Sequence, residues 1–229
     1  MKKILILFLI LICSFLNGQQ NGQSGVSIRV YYSPDICYRF LSDDSWVADT
    51  RDENEIIKYG NSIGTGIICK LNPFIALELG IQYSTKGYQT KKNEVISSEP
   101  DSTLPDMIKE VYRYNYLGLP VRLSFIKEFN KFSLRSSLGL VNNGLLKHEY
   151  ETISYNKDGS YFTATEGIES YNKFALTSVI SIGIGYQISQ LIEIQIEPTL
   201  QYDLLKIKDA PMETYLWNLG LNMSLTYKL

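Results

Sequence analysis

The C-terminal stretch YLWNLGLNMSLTYKL, residues 215–229, decides the fold. Tyr215, Trp217, Leu219, Leu221, Met223, Leu225, Tyr227 and Leu229 occupy one set of alternate positions. Asn218, Gly220, Asn222, Ser224, Thr226 and Lys228 occupy the other, with Leu216 the one exception. A helix, turning every 3.6 residues, mixes two such sets; a strand, with its period of two, separates them onto opposite faces. The run is longer than the ~9–11 residues a tilted strand needs to cross the hydrocarbon of a bilayer.

The same alternation recurs upstream. Ile192, Ile194, Ile196, Leu200 and Tyr202 oppose Glu193, Gln195, Glu197, Thr199 and Gln201. Phe174 to Tyr186, Phe132 to Leu140, Leu117 to Phe125, Ile75 to Tyr83, Ile63 to Leu71 and Val26 to Tyr32 repeat it. The spacing therefore predicts an all-β chain: an eight-stranded antiparallel up-and-down transmembrane β-barrel with short periplasmic turns and long extracellular loops. Short connections are expected near Asn72–Pro73, Lys127–Asn130 and Ile188–Gln190. Long ones are expected over Asp35–Lys58, Lys86–Glu110, Asn143–Asn172 and Asp203–Glu213. A soluble barrel also alternates, but it turns its apolar face inward. Three features favour the membrane form: uncharged apolar faces, glycines gathered on the polar faces, and aromatic residues near strand ends. Those aromatics are Tyr32, Tyr83, Tyr186, Tyr202, Tyr215, Trp217 and Tyr227, positions suited to interfacial girdles. Pro120 and Pro198 each remove a ladder donor, so a bulge or a strand end is expected at both.

The N-terminus carries Lys2 and Lys3, an apolar run Ile4–Ile12 and the small residue Gly18. This is the layout of a cleaved secretory signal peptide over 1–18, leaving one domain over 19–229. The bulky Leu11 and Ile12 before Cys13 do not suit a lipoprotein cleavage site. Loss of Lys2 and Lys3 takes the formal charge from −2 to −4, an acidity that argues against nucleic acid as a partner. Cys37 and Cys69 fall near opposite barrel ends, so no disulfide is expected.

The polar faces collect Arg29, Lys70, Glu78, Arg122, Arg135, Glu193, Glu197 and Lys228. An eight-stranded barrel is just wide enough inside for side chains, and buried charges need partners. The mixed signs therefore predict a structural lumen plug rather than a channel. His148, the single histidine, is expected in a solvated loop near Glu149, Glu151, Ser154 and Ser160, with no triad spacing. Asp43, Asp44, Asp49, Asp52, Glu53 and Glu55 form an acidic run, expected to be a solvated loop. Trp46, Tyr155, Tyr161 and Phe162 are loop aromatics suited to contact with a partner. No phosphate loop, paired-cysteine metal site or catalytic motif is present, and no cofactor is implied.

Three segments carry a family resemblance. LELGIQYSTKGYQT (77–90), YNYLGLPVRLSF (114–125) and SIGIGYQIS (181–189) resemble motifs of the PorT-like outer-membrane β-barrel family of Bacteroidota. Gly118 stands where that family's Tyr-Leu-Glu-Ile-Pro-Leu strand has an acid. The resemblance implies a bacterial outer-membrane barrel, inserted by the barrel assembly machinery and surrounded by outer-membrane lipid. Its namesake's link to secretion does not follow from shape alone. The expected role is structural or interactive, with the long loops offered to an unidentified protein partner. The alternatives are a narrow pore or secretion-associated barrel and, third, a lipid-modifying enzyme built around His148.

Overall fold

A computed structural model describes residues 25–42, 46–95, 104–166, 171–208, 210 and 212–229. The predicted signal peptide, Asp43 and Asp44 lie outside the described residues. Eight long strands follow one another: β1 Val26–Ser42, β2 Lys58–Lys70, β3 Ile75–Thr90, β4 Met107–Phe129, β5 Phe132–Tyr155, β6 Phe174–Gln187, β7 Ile192–Asp203 and β8 Glu213–Lys228. Each pairs antiparallel with the next. β8 then closes on β1, from Ser27 opposite Lys228 to Ser42 opposite Glu213. The sheet is thus an eight-stranded up-and-down barrel with both described ends at the same rim.

The turns at that rim are short, and local chemistry explains them. Asn130, between β4 and β5, has φ of 57°, a left-handed conformation that asparagine tolerates. Between β2 and β3 the Asn72 carboxamide oxygen accepts the Phe74 and Ile75 amides, both at 2.8 Å. Between β6 and β7 the Ser189 hydroxyl oxygen accepts the Ile192 amide at 3.1 Å.

Burial alternates along every long strand with the polar residues inside. Arg29, Glu78, Arg122 and Glu197 are buried, whereas Leu138 and Ile184 are 60% and 61% exposed. A soluble barrel has the reverse order. An outer belt of Ile, Leu, Val and Phe around a charged interior is the arrangement of a barrel that crosses a membrane, where closure satisfies every strand edge. Tyr83, Tyr202, Tyr215 and Trp217 face outward toward the loop end and Tyr186 and Tyr227 near the turn end. Tyr32 departs from the expected girdle: it faces out from mid-belt, opposite Met223 and Ile63.

Three expectations are corrected. First, the strands run further toward the loop end than the alternation of apolar residues suggested. β1 reaches Ser42, β3 reaches Thr90, and β4 and β5 pair up to Met107 opposite Tyr155. Above the belt β3 and β5 carry polar residues on both faces, so hydrophobic period loses contrast there while the backbone ladder continues. Tyr161–Glu166 adds to β5 and Asn93–Glu94 to β4, so a small sheet stands above the barrel. Second, Pro120 and Pro198 make no bulge. The partner register is unchanged on either side, and only the pairing to one neighbour lapses locally. One missing donor removes one bond without displacing the chain. Third, a bulge occurs where none was expected. Asn115 faces Lys147 and Tyr116 faces Leu145, leaving Leu146 as the extra residue. Below it the odd residues of β5 face inward; above it the even ones do.

Candidate functional site

The lumen is the candidate site, and it is built in layers. Nearest the turn end, the buried Arg29 guanidinium lies between two carboxylates. It donates to Glu78 at 3.0 Å, to Glu197 and to the Asn222 carboxamide oxygen at 3.2 Å. Glu193 accepts the Ser133 hydroxyl at 2.6 Å. Arg122 stands beside Glu78 across the β3–β4 ladder, with its guanidinium carbon 5.3 Å from the Tyr31 ring centre. Arg135 is buried in the same layer. Three arginines thus share the layer with three glutamates, but among the described residues only Arg29 is ion-paired, and no Arg122 nitrogen has a hydrogen-bond partner. Glycines make the room: a Cβ at Gly183 would fall 2.3 Å from Glu197 Cγ, and one at Gly185 2.1 Å from Glu193 Oε1.

Six of the eight expected lumen residues, Arg29, Glu78, Arg122, Arg135, Glu193 and Glu197, are buried together inside. The other two are not. Lys70 sits at the turn-end rim, half-exposed and 2.7 Å from Glu128, and Lys228 is half-buried at the end of β8. Strand ends widen to water, and alternation fixes a face without fixing a depth.

Sequence reasoning missed the next layer. Asp35 accepts the Ser33 and Ser62 hydroxyls, each at 2.6 Å, and the Asn218 amide at 3.2 Å. Lys86 donates to Asp203 at 2.7 Å and to Thr177 at 3.2 Å. Thr177 in turn donates to Asp203 at 2.6 Å and accepts from Asn143 at 2.7 Å. The signal was present: Asp35, Cys37 and Arg39 alternate with Ile36, Tyr38 and Phe40 and so continue the phase of β1 beyond Pro34.

An aromatic layer lies above this one. Tyr88, Tyr114, Tyr116, Ala175, Ile207 and Leu216 pack together, joined by Tyr112 and Tyr171. His148 belongs here and not in a solvated loop, because the Leu146 bulge turns it inward. It stacks between Tyr114 at 4.6 Å and Tyr171 at 4.1 Å. Neither ring nitrogen has a hydrogen-bond partner among the described residues, so no hydroxyl nucleophile is paired with it. Burial pushes its pKa down to about 4.

The acidic run caps this mouth. Its described part forms helix α1, Trp46–Asn54, followed by Glu55–Ile56 paired to β3. Glu55 takes Arg39 Nε at 2.6 Å and Arg51 Nε at 2.7 Å, and Arg39 also pairs with Asp52. Arg51 reaches the Tyr88 hydroxyl at 3.3 Å. Asp52 and Glu55 are therefore ion-paired over the aromatic layer rather than lying in a solvated loop. Cys37 and Cys69 are free thiols at opposite ends of the β1–β2 pair.

No family model matches the chain, and none of the curated proteins matches it. Solved structures of similar architecture are outer-membrane barrels. Neisserial surface protein A, NspA, is 11% identical over 91% of this chain and 100% of that one, with a TM-score of 0.47. The N-terminal β-barrel domain of Pseudomonas aeruginosa OprF is 14% identical over 90% and 100%, with a TM-score of 0.37. OprG from the same organism is 9% identical over 92% and 99%, with a TM-score of 0.39. These likenesses are loose, and the fold stands on the strand register itself.

Proposed function

We propose that this chain is a plugged outer-membrane barrel with a structural or interaction role, exported by a cleaved signal peptide and related to the PorT-like family. The observation that carries this reading is the filled lumen. Balanced arginines and glutamates, the Asp35 and Lys86 layer, the tyrosines and the α1 cap succeed one another along the axis. The ion pairs of Arg29 with Glu78 and Glu197 and of Lys86 with Asp203 are costly to part at such depth, so the lumen serves rigidity rather than transport. The part left for partners is the small sheet above the barrel, where Tyr161 and Phe162 are exposed. Insertion would depend on the barrel assembly machinery and on outer-membrane lipid. The six buried residues Arg29, Glu78, Arg122, Arg135, Glu193 and Glu197 are read as a structural network, with no catalytic role.

Planar-bilayer recording tests this. The full chain inserted in a bilayer is expected to give no stable single-channel steps. Large, sustained conductance at modest voltage would replace the plugged reading with a pore.

A further inference from the structure

The outer wall carries a feature that the lumen does not explain. Above the belt, between β2 and β5, lies a polar groove of about 730 Å³ lined by Lys58, Tyr83, Lys109, Arg113, Glu149 and Glu151, among others. Below it the outward wall carries a shallow, open apolar depression of about 860 Å³ that spreads from Leu117 of β4 through Ile81, Ile63 and Val30 to Met223 of β8 and Ile196 of β7. The two share Tyr83, whose hydroxyl donates upward to Asn115 at 3.1 Å.

The charges in the upper groove are incompletely matched. Lys58 is 6% exposed, and among the described residues its ammonium has one partner, the Tyr59 carbonyl at 3.0 Å. Lys109 has neither an ion pair nor a hydrogen bond among the described residues. Arg113 reaches Glu149 and Glu151 only at 3.5 Å each, and Glu149 is already bound by Lys147 at 2.7 Å. Cationic donors therefore exceed the carboxylates beside them. In the lower groove the short Thr65 side chain lies beside Ile63 and Ile81, its hydroxyl turned back to the Arg29 carbonyl at 2.9 Å. The apolar depression leads up into a basic pocket.

We propose that this paired groove holds one phosphorylated lipid of the outer leaflet, its acyl chain along Ile63, Thr65 and Ile81 and its phosphate between Lys58, Lys109 and Arg113. Phosphate suits the donors, because Lys and Arg give charge-assisted bonds to its oxygens. A lipid suits the position, because the lower groove opens onto the belt and the upper one stands at headgroup height. The inference rests on the membrane placement given above.

The test uses the full chain folded in non-ionic detergent, with phosphatidylglycerol added and bound lipid counted by native mass spectrometry. One phosphatidylglycerol is expected to stay bound, and diacylglycerol of the same chains to be lost. Lys109→Gln with Arg113→Gln is expected to weaken retention at least tenfold, as is Thr65→Trp, which fills the lower depression. Inorganic phosphate is not expected to compete at millimolar concentration. Equal retention of diacylglycerol, unchanged retention in either variant, or full displacement by phosphate would each overturn the site. Insertion into vesicles and the heat-dependent gel shift are measured beside it. A chain that inserts but holds no lipid defeats this inference alone, whereas a chain that does not insert defeats the membrane reading.

Discussion

Replacing Arg29 with methionine probes the centre of the lumen. Arg29 is fully buried, donates to Glu78 and Glu197 together, and also holds Asn222. Methionine fills much of the same volume, so the change removes charge rather than packing. Two carboxylates are then left at a depth water does not readily reach. Breaking a buried pair in this way costs about 3–5 kcal/mol. Arg122 and Arg135 stand close enough to take up part of the lost field, so we expect about 3 kcal/mol. The assay is urea unfolding of the barrel in micelles, followed by tryptophan emission, with the midpoint shift converted through the measured slope. Arg29→Met combined with Glu197→Gln restores the charge balance, leaves Glu78 to Arg122, and should recover at least half of the loss. A single variant within about 1 kcal/mol of the parent, or a double variant less stable than the single, would refute the reasoning.

Two further outcomes follow. Gly183→Val should lower the unfolding midpoint by about 1–3 kcal/mol, the usual cost of overpacking, because its Cβ would lie 2.3 Å from Glu197 Cγ and 2.5 Å from the Ile196 carbonyl oxygen; the same urea titration checks it. The His148 ring resonances should titrate near pH 4 rather than 6.5. Since the unfolded chain binds the proton more readily, stability is full above about pH 6.5 and falls as pH drops toward 4. His148→Phe should flatten that window in pH-dependent unfolding, and an unchanged slope would remove His148 as its cause.

The sequence made the barrel legible where one face meets lipid and the other meets charge. Ile192–Tyr202 and Tyr215–Leu229 announce their strands because apolar and polar positions contrast sharply. The lower charge layer was legible for the same reason, with Arg29 and Glu78 flanked by isoleucines and leucines. Above the belt the contrast fades. Lys86 and Asp203 lie where it is weak, whereas Asp35 still alternates with Ile36, Tyr38 and Phe40, and the backbone ladder carries β1 and β3 well past Asp35 and Lys86. His148 was illegible in a stronger sense: its direction depends on the single unpaired residue Leu146, and alternation contains no mark of a skipped position. The place of α1 was also hidden, because an acidic run reads as solvated until Arg39 of β1 is brought against Asp52 and Glu55.

The bulge at Leu146 makes the upper sheet and the barrel below it independent in their facing. Excising that one residue would leave every belt position of β5 as it is. Above the cut the facing would hold as well, because Lys147 would follow Leu145 directly and the ladder to Asn115 and Tyr114 would run on with His148 still inward and Glu149 still outward. What would turn the mouth inside out is the opposite change, a regular ladder in which Leu146 paired with Asn115, so the projecting surface owes its orientation to one leucine being passed over.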